Sequence, residues 1–253
     1  MIHPMTPRAR KRIWVAASAI IAVLAWSLAA RLVGREVILP APETALSYLA
    51  GMLLEGETWT AVGWTMGRLA LSFSMNIAAA LVLGTAAGFA ERLEYVLTPV
   101  LTVMKSVPTM GVILLSLIWF GSGAAVLFVC TLIVFPVLYG AVLTGIKHLD
   151  RKLIEMHRVF RIPWTKALRR FVLPSLTPHL IAGVMSGLGL SMKVIIAAEV
   201  LAQPKAGIGT MFQIERARLN TAGVFAWSLL VILLTSGMDL VFSLARKRWG
   251  DRS

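Results

Sequence analysis

Charge is scarce in this chain. Only 15% of its 253 residues are charged, 58% are hydrophobic, and the mean hydropathy is +0.79. About a quarter of a soluble domain is charged, so the composition excludes one. Acidic residues are scarcer still, 12 against 25 Lys and Arg, for a formal net charge of +13. That excess does not mark a nucleic-acid binder, because no interleaved aromatic and basic residues and no nucleic-acid module accompany it. It reads as topological charge, with some attraction to anionic lipid. The single cysteine, Cys130, excludes an intrachain disulfide and a cysteine metal pair. No Gly-x-x-x-x-Gly-Lys-Ser/Thr loop is present, so nucleotide-driven work would need another polypeptide. The four histidines (His3, His148, His157 and His179) are scattered without metal-ligand spacing. With no nucleophile–base constellation either, catalysis and a resident cofactor or metal are not expected. Pro/Ser-rich linkers, low-complexity tracts and clear internal repeats are lacking, which points to one domain.

Long apolar runs are what the chain has instead. A bilayer-crossing helix needs about 20 apolar residues, and such runs fall at 13–33, 64–90, 96–120, 123–146, 176–202 and 222–245. The expectation is an all-α polytopic membrane protein of about six transmembrane helices. The third run is the weakest, since it holds Pro99, Lys105 and Pro108. Parity supports it: both chain ends are basic, and the positive-inside rule then requires an even number of spans. Eight basic residues lie between Lys147 and Arg170, whereas 34–63 holds only Arg35 against Glu36, Glu43, Glu55 and Glu57. Both termini and 147–175 are therefore expected in the cytoplasm, and 34–63 and 203–221 outside. Residues 1–12 read as a cytoplasmic tail, 13–253 as one transmembrane domain with a cytoplasmic elbow at 147–175. Arg8 to Arg12 has the charge of a signal n-region, but the apolar run after it is long and no small-residue cleavage site follows. Segment 40–57 reads as a short surface helix, with Pro42 in its first turn and Leu46, Leu49 and Leu53 at helical spacing.

The elbow is patterned. Asp150 suits an N-cap, and Leu149, Leu153, Met156 and Phe160 recur on one helical face. Ile162-Pro163 breaks that helix, and Trp164, Leu168, Phe171 and Val172 begin a second stripe before Leu173-Pro174 opens the fifth span. Two short helices with greasy stripes and basic faces can lie on the anionic inner leaflet, or dock as a lever in a soluble subunit. Inside the spans, Lys193 costs about 2.5–3.5 kcal/mol at a helix centre. It either lines a solute pathway and favours an anion, or pairs with a carboxylate or carbonyls. Glu199 lies about 120° round the helix from it, so the two do not share a face; Glu199 either borders the pathway or holds the 203–221 loop. Lys105 and Ser106, before Pro108, either snorkel or face the pathway. Asn76 is either interhelical glue or a ligand.

These residues resemble a known family, the integral membrane permeases of binding-protein-dependent ABC importers, and within it the nitrate, taurine and alkanesulfonate branch. The family's cytoplasmic motif opens Glu-Ala-Ala, has Gly six residues after the Glu, and closes on Leu-Pro. Here Glu155 and Leu173-Pro174 keep that spacing, while Met156 and His157 replace the alanines and Arg161 the glycine. Further matches are Val107-Pro108, Ile118-Trp119-Phe120-Gly121, Phe135-Pro136, Ala197-Ala198-Glu199 and Gly207-Ile208-Gly209. The resemblance implies a type I ABC importer permease in the cell inner membrane. It implies a second permease copy, cytoplasmic ATPase subunits that carry the ATP and Mg, and an extracytoplasmic solute-binding protein. Leu153, Glu155, Met156, His157, Phe160, Arg161, Leu173 and Pro174 would then couple to the ATPase. Asn76, Lys105, Ser106, Pro108, Lys193 and Glu199 would belong to the solute pathway. The cargo would be a small solute such as a sulfonate, nitrate or a small heterocycle. The rival readings are an ion- or proton-coupled carrier using Lys193 and Glu199, which leaves the elbow without a job, and a non-transport scaffold or membrane-embedded enzyme with no solute flux.

Overall fold

A computed structural model describes residues 7–149 and 173–250. Eight helices run through them: α1 Pro7–Val33, α2 Pro42–Met52, α3 Gly56–Phe89, α4 Glu91–Ser106, α5 Thr109–Lys147, α6 Leu173–Ala202, α7 Ile208–Ala217 and α8 Thr221–Gly250. Among the described residues, five stretches are long and apolar enough to cross a membrane: Ile13–Val33, Gly56–Phe89, Thr109–Lys147, Leu176–Ala202 and Thr221–Leu244. Six had been expected, and the difference lies at 91–147. The expected third span, 96–120, is not one helix. Proline bars the residue before it from the helical region, and Val107 accordingly takes φ −69°, ψ 131° and ends α4. Pro108 then starts α5 as its N-cap.

Helix α5, at 39 residues, would be about 58 Å long if straight, nearly twice the thickness of a hydrocarbon core. It is not straight: Gly121 takes φ 70°, ψ 174° inside it, where a side chain would be strained. The Lys147 ammonium lies 2.6 Å from the Glu94 carboxylate, so the start of α4 stands beside the end of α5. The rings of Phe120 and Phe128 approach to 5.0 Å across the Gly121 break, where eight residues of straight helix would span about 12 Å. The chain therefore rises through α4 and the first arm of α5, then returns through the second. Pro136 sits among helical backbone angles, and Gly121 bends the helix instead.

Two compact units divide the chain, Met1–Trp59 with Met211–Leu233, and Thr60–Thr210 with Leu234–Ser253. In the second, the small residues of α3 and α6 set the packing. A Cβ on Gly84 would lie 2.9 Å from the Val142 side chain, and one on Gly187 2.9 Å from Leu138. Gly88 meets Ile146 and Gly183 meets Ala141 in the same manner. Backbones approach where side chains are absent, and α3, α5 and α6 form a core on that principle. Gly88→Val is expected to destabilise the fold by about 1–3 kcal/mol through overpacking, because the opposing Cβ of Ile146 is fixed to its backbone. Gly189 meets nothing within 4 Å, so Gly189→Val should change little. Thermal unfolding of both variants in detergent checks the contrast; equal midpoints overturn it.

In the first unit, the Trp26 indole N–H donates to the Pro40 carbonyl at 3.0 Å and its ring stacks on Phe225 at 5.4 Å. Helix α2 has Pro42 in its first turn, as expected. Its buried face is Pro42, Ala45, Leu49 and Met52; Leu46, expected on the apolar stripe, is exposed. The Glu215 carboxylate is buried and accepts from the Tyr48 hydroxyl at 3.0 Å and the Asn220 amide at 2.6 Å. Burial first, then the Glu215 carboxylate, push the Tyr48 hydroxyl above its ordinary range.

Candidate functional site

The residues singled out in the sequence do not converge on one point. Lys193, on α6, is exposed and has no ion-pair partner among the described residues. Lys105 and Ser106 end α4, both exposed, with the Ser106 hydroxyl donating to the Thr102 carbonyl at 2.8 Å. Pro108 is exposed at the α4–α5 break. Asn76 is buried in α3, and neither polar atom of its amide has a hydrogen-bond partner. Leu173 and Pro174 open α6. Leu153, Glu155, Met156, His157, Phe160 and Arg161 lie outside the described residues, as does Asp150.

Glu199 is the centre of a built site. It is fully buried near the end of α6. The Arg68 guanidinium of α3 forms an ion pair with it at 2.5 Å and also donates to the Ala206 carbonyl at 2.8 Å. The Thr65 hydroxyl lies 2.9 Å and 3.0 Å from the two carboxylate oxygens, and accepts the Ile208 N–H at 2.8 Å. The Gly209 N–H donates to Glu199 Oε2 at 2.9 Å. This places a carboxylate on the first turn of α7, where the helix dipole favours negative charge. The carboxylate receives donors from Arg68, Thr65 and Gly209, as a buried charge requires.

The knot also explains the glycines. Gly207 has φ +157°, and a Cβ on it would lie 2.7 Å from the Glu199 carboxylate. Gly209 has no more room, since its Cβ would meet the Glu199 Cβ and the Ile196 carbonyl. Ala197-Ala198-Glu199 and Gly207-Ile208-Gly209, two separate matches in the sequence, are thus two halves of one contact. The carboxylate holds the turn that follows α6, and its hydrogen-bonding capacity is used in doing so. An ion- or proton-handling Glu199 is not favoured by that arrangement.

Arg68 is the functional residue that the sequence reading missed. The signal was present: an arginine inside an apolar span carries the same insertion cost that drew attention to Lys193, and a buried carboxylate demands a partner. Arg68 also lies 5.6 Å from the Trp64 ring centre. With Trp64, Gly63, Gly67 and Gly123 it borders an open cleft of about 560 Å³ between α3 and the second arm of α5.

The described residues are helical, with several apolar spans, a break at proline within the α4–α5 pair and a carboxylate-pinned turn, and they define a polytopic membrane protein. The chain belongs to the family described as "Binding-protein-dependent transport system inner membrane component", whose model matches residues 76–250. It is therefore a transport subunit of the inner membrane and not an enzyme. It is 30% identical to SsuC, the candidate aliphatic sulfonates transport permease protein of Bacillus subtilis, over 75% of this chain and 68% of that one. It is 24% identical to the taurine transport system permease protein TauC of Escherichia coli, over 87% and 83% of the two chains. Among solved structures, an inward-facing form of the MetNI methionine ABC transporter matches with a TM-score of 0.55 and 17% identity. That match covers 75% of this chain and 98% of the other, and the likeness is one of fold.

Proposed function

We propose that this chain is the permease subunit of an ATP-driven importer that moves a small anionic solute inward. A solute-binding protein delivers the cargo on the side of 34–63 and 203–221. A second permease copy completes the pathway. Separate ATPase subunits dock on the elbow at 147–175, through Leu153, Glu155, Met156, His157, Phe160, Arg161, Leu173 and Pro174. The pathway is assigned to Lys193 together with Asn76, Lys105, Ser106 and Pro108; Glu199 borders it by holding the turn after α6. Sulfonate is the favoured cargo class, because both named relatives are sulfonate or taurine permeases.

The observation that carries the anion assignment is Lys193, exposed on an apolar helix with no acidic partner among the described residues. A cation at that depth without a carboxylate is supported by a wet cavity and by what passes through it. Hydrogen bonds to charged groups are worth about 1.5–3 kcal/mol. Lys193→Met should therefore lower taurine or alkanesulfonate uptake, normalised to folded protein in the membrane, by about tenfold or more. Lys193→Arg should keep part of it, since the charge survives while the geometry changes. Normalised uptake of Lys193→Met equal to that of the unmutated chain removes Lys193 from the pathway.

A further inference from the structure

Folding brings together two histidines that the sequence leaves scattered. His148 is the C-cap of α5 and His179 lies early in α6. Their ring centres are 5.5 Å apart and the ring planes are tilted by 35°. The Thr144 carbonyl can only accept, so the 2.8 Å contact to His148 Nδ1 places the imidazole proton on that nitrogen. In the neutral ring, Nε2 then carries the lone pair. A ring N–H donated to a backbone carbonyl is the arrangement that orients metal-ligating histidines.

His179 reaches this position because residue 145 is glycine. A Cβ there would lie 3.2 Å from the His179 Cβ and 2.6 Å from the Leu176 side chain. The ring-centre spacing is within reach of a shared ion. Metal–nitrogen bonds of about 2.0–2.1 Å put each ring centre about 3.2 Å from the metal, and a tetrahedral angle then separates two centres by about 5.2 Å. The observed separation differs from that by a few tenths of an ångström.

We propose that His148 and His179 form a two-imidazole site for a divalent transition ion of the zinc, copper or nickel class, which staples the end of α5 to the start of α6. Imidazole selects these ions over magnesium and calcium, which prefer oxygen ligands. Among the described residues no third His, Cys, Asp or Glu joins the pair, so water completes the coordination and the ion exchanges readily. The helix ends it ties are the two that segment 150–172 connects. The site does not depend on which solute the chain carries.

The test uses the full chain, without a polyhistidine tag, in lipid nanodiscs. A His3→Ala background removes the histidine nearest the amino terminus. Zn²⁺ is titrated by calorimetry, with Mg²⁺ as the comparison ion. One Zn²⁺ should bind per chain, Mg²⁺ should not, and His148→Ala and His179→Ala should each weaken Zn²⁺ binding at least tenfold. Hydrogen exchange on the chain with both histidines gives a second readout. Saturating Zn²⁺ should slow amide exchange about 144–148 and about 176–180 together, and chelation should reverse it. Zn²⁺ affinity within twofold of the His3→Ala chain in both variants overturns the site. If the variants do not fold, unchanged exchange at both helix ends overturns it.

Discussion

Glu199→Ala is expected to destabilise the folded chain by about 3–5 kcal/mol, the cost of removing one partner from a buried ion pair. The substitution strands the Arg68 guanidinium, whose side chain is only 12% exposed, and leaves the Gly209 N–H without its acceptor. Glu199→Gln should cost less, because an amide oxygen can still accept from Gly209 and Thr65. The double variant Arg68→Ala with Glu199→Ala should be more stable than Glu199→Ala alone, since it no longer buries an uncompensated cation. Unfolding midpoints in detergent report all three. If Glu199→Ala unfolds with the unmutated chain, the carboxylate does not hold the turn. If the double variant is no more stable than Glu199→Ala, Arg68 is not its charge partner.

The second large effect is expected at the elbow. Glu155→Lys should cut both ATPase capture and solute-stimulated ATP hydrolysis at least tenfold, while the chain stays folded and inserted. Reversing a charge within a docking surface sets like charges against each other at a cost of several kcal/mol, and a tenfold loss needs only about 1.4 kcal/mol. Phe160→Asp should act in the same direction by placing a carboxylate on the apolar stripe with Leu153 and Met156. The motive is the matched spacing from Glu155 to Leu173-Pro174. Capture of the ATPase subunit and hydrolysis rates are the measurements. Values for both variants equal to those of the unmutated chain would separate the elbow from the ATPase.

Most of the helical plan was legible because the bilayer is a demanding solvent. A span must be apolar for about 20 residues and satisfy its own backbone, so four of the six expected runs coincide closely with spanning helices: 13–33, 64–90, 176–202 and 222–245. The 96–146 region was harder. Its apolar content is nearly continuous, and a hydropathy pattern does not record where a helix reverses. Gly121-Ser122-Gly123 has the glycines of a tight turn between the third and fourth runs, whereas the helix end at Val107 was not read from the sequence. The Glu94–Lys147 pair and the Phe120–Phe128 approach show that both belong to one out-and-back path. In α2 the stripe was read one residue off. Leucine spacing suggested Leu46, whereas the buried face follows the smaller Ala45.

By itself the sequence determined the helical membrane class and a family membership that rests on motif order. Each of these is written in local composition or in spacing along the chain. The tertiary structure alone decided partners. Arg68 and Glu199 stand far apart in the sequence, as do Glu94 and Lys147, and His148 and His179. No period or motif predicts which charge will neutralise which. In a low-dielectric core that choice follows from distance and geometry, since a buried carboxylate is tolerated only where donors from α3 and the following turn reach it at hydrogen-bond length.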